Sequence, residues 1–287
     1  MLTKTPSEGN SDRHLLFSNP SQGNHNHQGN GNDAIFIDCD LPIENMLFPC
    51  VEPWSQDWSR RNEFLKQATQ AFSIKPSLNG VIHCRRKIKL GKRGFRCNYF
   101  PSRKNATGSL GSVYIPMESR LETAHAVQLE RKPNVRAYRT QAIELDVYGN
   151  RVFPDFLIVN HSGQLYVDEV KADKRYLSSK MKQRIDHLTE MLGRWGINYA
   201  VVDSFDLPQG TKLENLLWLN QRINVNPTEC QIKAFLELDF DKSTYGQLRI
   251  LCKSKQLDES LVTYLIFIEG LNIDWLKPID DESEVWR

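Results

Sequence analysis

Two apolar runs joined by four polar residues carry charges at positions where buried strands should have none. Val152-Phe-Pro-Asp-Phe-Leu-Ile-Val159 and Gln164-Leu-Tyr-Val-Asp-Glu-Val170 flank Asn160-His-Ser-Gly163, which reads as a turn between antiparallel strands. Side chains alternate along a strand, so Glu169 and Lys171 share one face and Val170 and Asp168 take the other. In a tight antiparallel pair Asp155 then lies beside Glu169. Two carboxylates this close repel each other unless a cation lies between them, and oxygen ligands select a hard ion such as Mg²⁺ or Mn²⁺. Such an ion, with a second one about 3.5–4 Å away in many nucleases, serves phosphodiester hydrolysis. Lys171, two residues from a ligand carboxylate, can orient the attacking water or neutralise the phosphate.

The neighbouring segments place these residues in an α/β context. Met117 to Glu130 reads as a helix, Val135 to Val147 as a strand ending at the turn Tyr148-Gly-Asn, and Tyr176 to Trp195 as an amphipathic helix with Leu177, Met181, Ile185, Leu188 and Leu192 on one stripe. Tyr199 to Val202 reads as a short buried strand and Thr211 to Asn224 as a further helix. The order is helix, three-strand meander, helix, strand. After Pro227 come short helices at 229–237, 244–253 and 258–266 and a strand at 271–276, a pattern that suits a winged-helix module. Residues 1–33, rich in Asn, Gly, Ser, Pro and His, have the composition of a disordered tail, and 34–94 read as an N-terminal extension with a helix over Ser55–Phe72. The expected division is thus a tail to 33, a main domain over 34–226 and a small helical domain over 227–287.

The charge distribution is more informative than the net charge of +2. Between Arg85 and Lys104 there are nine basic residues and no acidic one, with Phe95, Tyr99 and Phe100 interspersed. Such a stretch suits a surface that tracks phosphates, and Arg93, Arg96, Arg103 and Lys104 are its candidate DNA contacts. Lys174 and Arg175, just past Lys171, are two more, and Lys180, Lys182 and Arg184 follow on the helix. The six cysteines, at 39, 50, 84, 97, 230 and 252, form no C-x-x-C pair, which argues for free thiols and against a zinc ribbon. No apolar stretch is long enough to span a bilayer and Met1 to Asn10 lack a signal-peptide core, so a cytoplasmic protein is expected, with no membrane partner.

Pro154-Asp155, thirteen intervening residues and Glu169-Val-Lys171 resemble the PD-(D/E)xK nuclease signature. Upstream, Tyr99-Phe-Pro-Ser-Arg-Lys104, Glu118-Ser-Arg-Leu-Glu122 and Pro133-Asn-Val-Arg-Ala-Tyr-Arg-Thr-Gln141 resemble the catalytic domain of TnsA, the endonuclease subunit of heteromeric transposases. The resemblance covers roughly Phe95 to Trp218. It implies a restriction-endonuclease-like core whose catalytic residues are Glu122, Asp155 and Lys171, with Glu169 at a position where some members carry Gln. Glu122, Asp155 and Glu169 would hold the metal. It further implies cleavage at the 5′ ends of a transposon in a bacterial cytoplasm, beside a TnsB-like DDE transposase and under a TnsC-like AAA+ ATPase that docks on the C-terminal domain. Glu118, one turn before Glu122, is the competing choice on that helix. Two other readings share these residues: a restriction or repair nuclease acting alone, and a DNA-binding adaptor with a vestigial site.

Overall fold

The computed structural model describes residues 55–86, 88, 98–106, 112–223 and 227–287. The expected tail over 1–33, the first part of the extension, and the candidate contacts Arg93 and Arg96 lie outside the described residues.

The chain is a mixed α/β protein. Helix α1 (Gln56–Ser73) is followed by an antiparallel hairpin, β1 (Asn98–Ser102) and β2 (Val113–Met117), and then by α2 (Arg120–Arg131). The central sheet contains β3 (Val135–Thr140), β6 (Phe156–Asn160), β7 (Leu165–Lys171) and β8 (Asn198–Asp203) in that order, the first three antiparallel and β8 parallel to β7. Between β3 and β6 the chain makes a separate hairpin, β4 (Leu145–Val147) and β5 (Asn150–Val152). Helix α3 (Ser179–Arg194) forms the crossover from β7 to β8, and α4 (Gly210–Asn220) follows. The C-terminal part comprises α5 (Glu229–Leu236), α6 (Tyr245–Ser254) and α7 (Ser260–Phe267), with a three-stranded sheet of β9 (Lys242–Thr244), β10 (Asn272–Ile273) and β11 (Glu284–Trp286).

Several boundaries differ from the sequence reading, among them the start of the crossover helix (Ser179, not Tyr176) and the C-terminal strand (Asn272–Ile273, not 271–276), and two breaks have a clear local reason. The strand expected over Val135–Val147 breaks after Thr140, because Gln141 takes a left-handed conformation (φ 47°) that a strand cannot continue through. The run Val152–Val159 breaks at Phe153-Pro-Asp155, where Pro154 offers no N–H for a ladder, so Asp155 immediately precedes β6 instead of lying within it. The turn at Tyr148-Gly149 therefore closes only the small β4–β5 hairpin. Both residues have positive φ (53° and 75°), as a two-residue hairpin turn requires. A further difference is β2, which takes in Met117, where the sequence pattern starts a helix; that helix begins at Arg120, after the cap Ser119.

Alternation along the strands sorts the core into two layers. Leu157, Val159, Leu165 and Val167 face α1 and α3, meeting Phe64, Ala68, Leu188, Met191 and Trp195. Phe156, Ile158 and Val170 face the other way, onto Ala124 and Val127 of α2 and Leu213 and Leu216 of α4. This second cluster continues without a break into Leu248, Leu261, Leu265 and Phe267 of the C-terminal helices. Among the described residues no helix is long and apolar enough to cross a membrane.

Candidate active site

The site forms where the first residue before β6 meets the last residues of β7. Phe156 pairs with Asp168 in the ladder, so continuing the register by one residue sets Asp155 opposite Glu169. Asp155 is fixed there by a hydrogen bond from the Val170 N–H to its Oδ2, 2.8 Å. Lys171 Nζ stands 2.7 Å from Glu169 Oε1 and 3.7 Å from Asp155 Oδ2, so the ammonium bridges the two carboxylates. Asp168 points to the opposite face, where its Oδ2 lies 2.8 Å from His125 Nε2 of α2.

Glu122 reaches the same place from the helix. Ser119 caps α2 by accepting the Glu122 N–H, and the Glu122 carboxylate folds back to accept the Glu118 N–H at 2.8 Å and the Ser119 hydroxyl at 3.0 Å. It is 6% exposed. Burial, and then the charge of Asp155, push its pKa up to about 7. Asp155 is raised in turn by burial and by the charge of Glu169, against the pull of Lys171. Glu118 is held differently: it pairs with Arg86 and accepts a hydrogen bond from Gln141 Nε2 at 2.9 Å.

Two further residues belong to this cluster. Arg184 of α3 turns inward, its guanidinium 2.6 Å from the same Glu169 Oε1 that Lys171 contacts, instead of lying out along a DNA backbone. Gln141, strained at the end of β3, donates its N–H to the Asp155 carbonyl at 3.0 Å and so fixes the approach to the site. Arg184 sits four residues before the buried Leu188, on the inner stripe of its helix, but its charge had argued for the solvent side. Gln141 had figured only as the end of a motif.

The candidate DNA contacts divide. Arg103 is 9% exposed and directs its guanidinium to Asn220 and Glu130, and Lys104 bonds the carbonyls of Lys132 and Val135. Both therefore hold the β1–β2 hairpin to α2, β3 and α4 and are not presented to a phosphate. Lys174 and Arg175 remain at the surface, beside Asp206 and Asp173 respectively.

No protein-family model matches the chain, and no curated protein matches it. The chemistry of the site therefore rests on its own geometry. Among the described residues no group of three Asp, Glu, His or Cys side chains is gathered closely enough to form a ready metal cage. The donor set nevertheless suits a hard cation. Glu169 is 4% exposed with its Oε2 lacking any hydrogen-bond partner, and the burial and mutual repulsion that raise Glu122 and Asp155 are the kind of cost a bound cation offsets.

The raised Glu122 has a measurable consequence. Its folded pKa of about 7 lies above the ordinary 4.5, so between these values the folded protein binds more protons than the unfolded chain, and stability falls as pH rises. Glu122→Gln removes that dependence while keeping an oxygen for the Glu118 N–H. Urea titrations in metal-free buffer should show the variant gaining on the wild type from pH 4.5 upward and levelling off near pH 7. A difference that stays flat across this range would show that Glu122 is not charge-frustrated.

Proposed function

We propose that the chain is a metal-dependent DNA endonuclease of the TnsA-like, PD-(D/E)xK type, cutting the 5′ ends of a transposon together with a DDE transposase. The observation that carries this reading is the meeting of Asp155, Glu169 and Lys171 at the end of one antiparallel strand pair, with Glu122 arriving from the N-terminus of α2. The order and spacing that resemble the nuclease signature in the sequence correspond to side chains that touch.

In this reading Asp155, Glu169 and Glu122 would hold Mg²⁺ or Mn²⁺, as two ions in the manner of many nucleases. The metal would polarise the scissile phosphate and lower the pKa of a bound water. The protein's own groups do the rest. Asp155 is oriented by the Val170 N–H, Lys171 holds an ammonium at the carboxylate edge where an attacking water or a phosphate oxygen would lie, and Arg184 fixes the rotamer of Glu169. The mixed α/β arrangement around them is compatible with a restriction-endonuclease-like core. The three short helices with the three-stranded sheet β10-β11-β9 suit a winged-helix module and make the C-terminal part the docking unit proposed for a TnsC-like ATPase.

The test is nicking of a transposon-end duplex by the purified chain with Mg²⁺ and its transposase partner. Wild type should cut and Asp155→Ala should not. Equal cutting by both would remove the assignment.

One observation favours a second reading, a DNA-binding adaptor with a vestigial site: Lys171 and Arg184 already supply Glu169 with positive charge. Calorimetric titration with Mn²⁺ separates the two. A working site binds the ion in a manner that Asp155→Ala abolishes, whereas a vestigial one shows no such binding.

A further inference from the structure

The turn that follows the candidate catalytic strand exposes aromatic rings that the core does not use. Tyr176 is 83% exposed and Phe205 67%, unusually bare for rings of that size. Both sit at the end of the sheet that carries Lys171. Tyr176 lies five residues beyond Lys171, in a single turn of 3-10 helix over Lys174–Tyr176, and Phe205 lies two residues beyond Asp203, the parallel-ladder partner of Lys171.

The two turns are stitched together. Ser204 Oγ donates to the Ala172 carbonyl at 2.7 Å, Lys174 N–H donates to Asp203 Oδ2 at 3.4 Å, and Lys174 Nζ reaches Asp206 Oδ2 at 2.8 Å. Arg175 lies between the rings, its guanidinium carbon 4.5 Å from the centre of Phe205 and 5.7 Å from that of Tyr176. Asp173 holds Arg175 by two hydrogen bonds from Nε and one from a terminal nitrogen, at 2.7–3.2 Å. The result is a preordered surface of ring, guanidinium and ring.

We propose that this surface is a stacking platform for the unpaired bases of a DNA strand flanking the cleavage site. The inference rests on the nuclease reading and deepens it by naming the form of DNA the site takes. Exposed rings beside a guanidinium suit a nucleobase, whose π-face stacks on aromatic rings and on guanidinium whatever its sequence. Lys174 and Arg175 are paired with Asp206 and Asp173, and the cations left to meet a polyanion are Lys180 and Lys182, exposed on the first turns of α3. The reach is right as well. Five extended residues span at most about 18 Å, roughly five base steps at about 3.4 Å each, so the stacked bases lie within a few nucleotides of the bond that is cut. The duplex is therefore held open beside the cut, and a strand end that frays easily is the preferred substrate.

The experiment uses the full chain, in buffer with EDTA, and two duplexes of equal length, one fully paired and one with a short unpaired flank carrying 2-aminopurine. Wild type should bind the forked duplex more tightly and perturb the 2-aminopurine fluorescence. Tyr176→Ala/Phe205→Ala should lose that preference by roughly tenfold per base stacked while binding the paired duplex as before. Tyr176→Phe/Phe205→Trp, which keeps the rings, should retain it, and thermal melting should match for all variants because both side chains are at the surface.

Equal binding of the two duplexes by wild type, or an unchanged preference in the double-alanine variant, would overturn the proposal and leave the platform to a protein partner. The nuclease reading fails separately. A chain that stacks the probe but never cuts with Mg²⁺ keeps the platform and loses the nuclease. A chain that cuts with Asp155 intact but shows no ring-dependent stacking keeps the nuclease and loses the platform.

Discussion

Lys171→Met is expected to lower strand cleavage by about 10²–10⁴-fold while Mn²⁺ still binds. Methionine keeps the unbranched stem of the side chain and deletes only the ammonium, which lies 2.7 Å from Glu169 and 3.7 Å from Asp155. Arg184 stays on Glu169, so the carboxylate keeps its rotamer and the ligand set is not dispersed. What disappears is the positive charge at the carboxylate edge. A second signature accompanies the loss of rate. Lys171 is the cation that holds the Asp155 pKa down against burial and the Glu169 charge, so without it that pKa rises further. In the metal-free protein the Asp155 carboxyl should therefore titrate at higher pH in Lys171→Met than in wild type. Activity within a few fold of wild type would remove Lys171 from the chemistry.

The strands that carry this site were legible because two periodicities agreed there. Alternation in β6 and β7 put Glu169 and Lys171 on one face, and the short polar turn at Asn160-His-Ser-Gly163 set a register that brought Asp155 opposite. The crossover helix was legible in part: of its expected stripe Leu188 and Leu192 are buried, Met181 and Ile185 are half-buried, and Leu177 precedes the helix, which begins at Ser179 and not at Tyr176. What escaped were features in which one local signal contradicts another. Pro101 and Pro116 lie within β1 and β2, and proline argues against a strand, so the hairpin that precedes α2 was hidden. Gln141 is neither Gly nor Asn, so nothing marked it for a left-handed conformation, and the break between β3 and β4 passed as continuous strand.

Charge misled in a different way. Arg103 and Lys104 belong to a basic run, and a run of cations reads as a phosphate surface until an internal partner is found for each. Their partners, Glu130, Asn220 and two backbone carbonyls, are between about 25 and 120 residues away in sequence and come together only through tertiary structure. Arg184 is the same case at the site itself. Lys174 and Arg175 stay on the surface although each has a carboxylate partner, Asp206 for Lys174 and Asp173, two residues away, for Arg175.

Glu130 is the group on which that internal arrangement converges, and Glu130→Ala should be the most destabilising single change in this region, by about 3–5 kcal/mol. Its Oε1 accepts the hydroxyls of Ser102 at 2.6 Å and Tyr138 at 3.0 Å, and its Oε2 accepts the N–H groups of Arg103 and Lys104. The Arg103 guanidinium stands 3.8 Å away and is also packed over the Phe267 ring of α7. Truncation strands these donors in the interior and leaves Arg103, whose pKa burial already lowers, without its carboxylate. For a protein of this size the loss corresponds to a fall in melting temperature of roughly 6–20 °C. Glu130→Gln, which keeps an acceptor oxygen but not the charge, should fall between. None of these contacts touches Asp155, Glu169 or Lys171. Well below its lowered midpoint, Glu130→Ala should therefore cleave DNA near the wild-type rate, whereas Lys171→Met, fully folded at the same temperature, should not. A Glu130→Ala protein that melts with the wild type would mean that the β1–β2 hairpin, α2 and α7 are held together by their apolar surfaces alone.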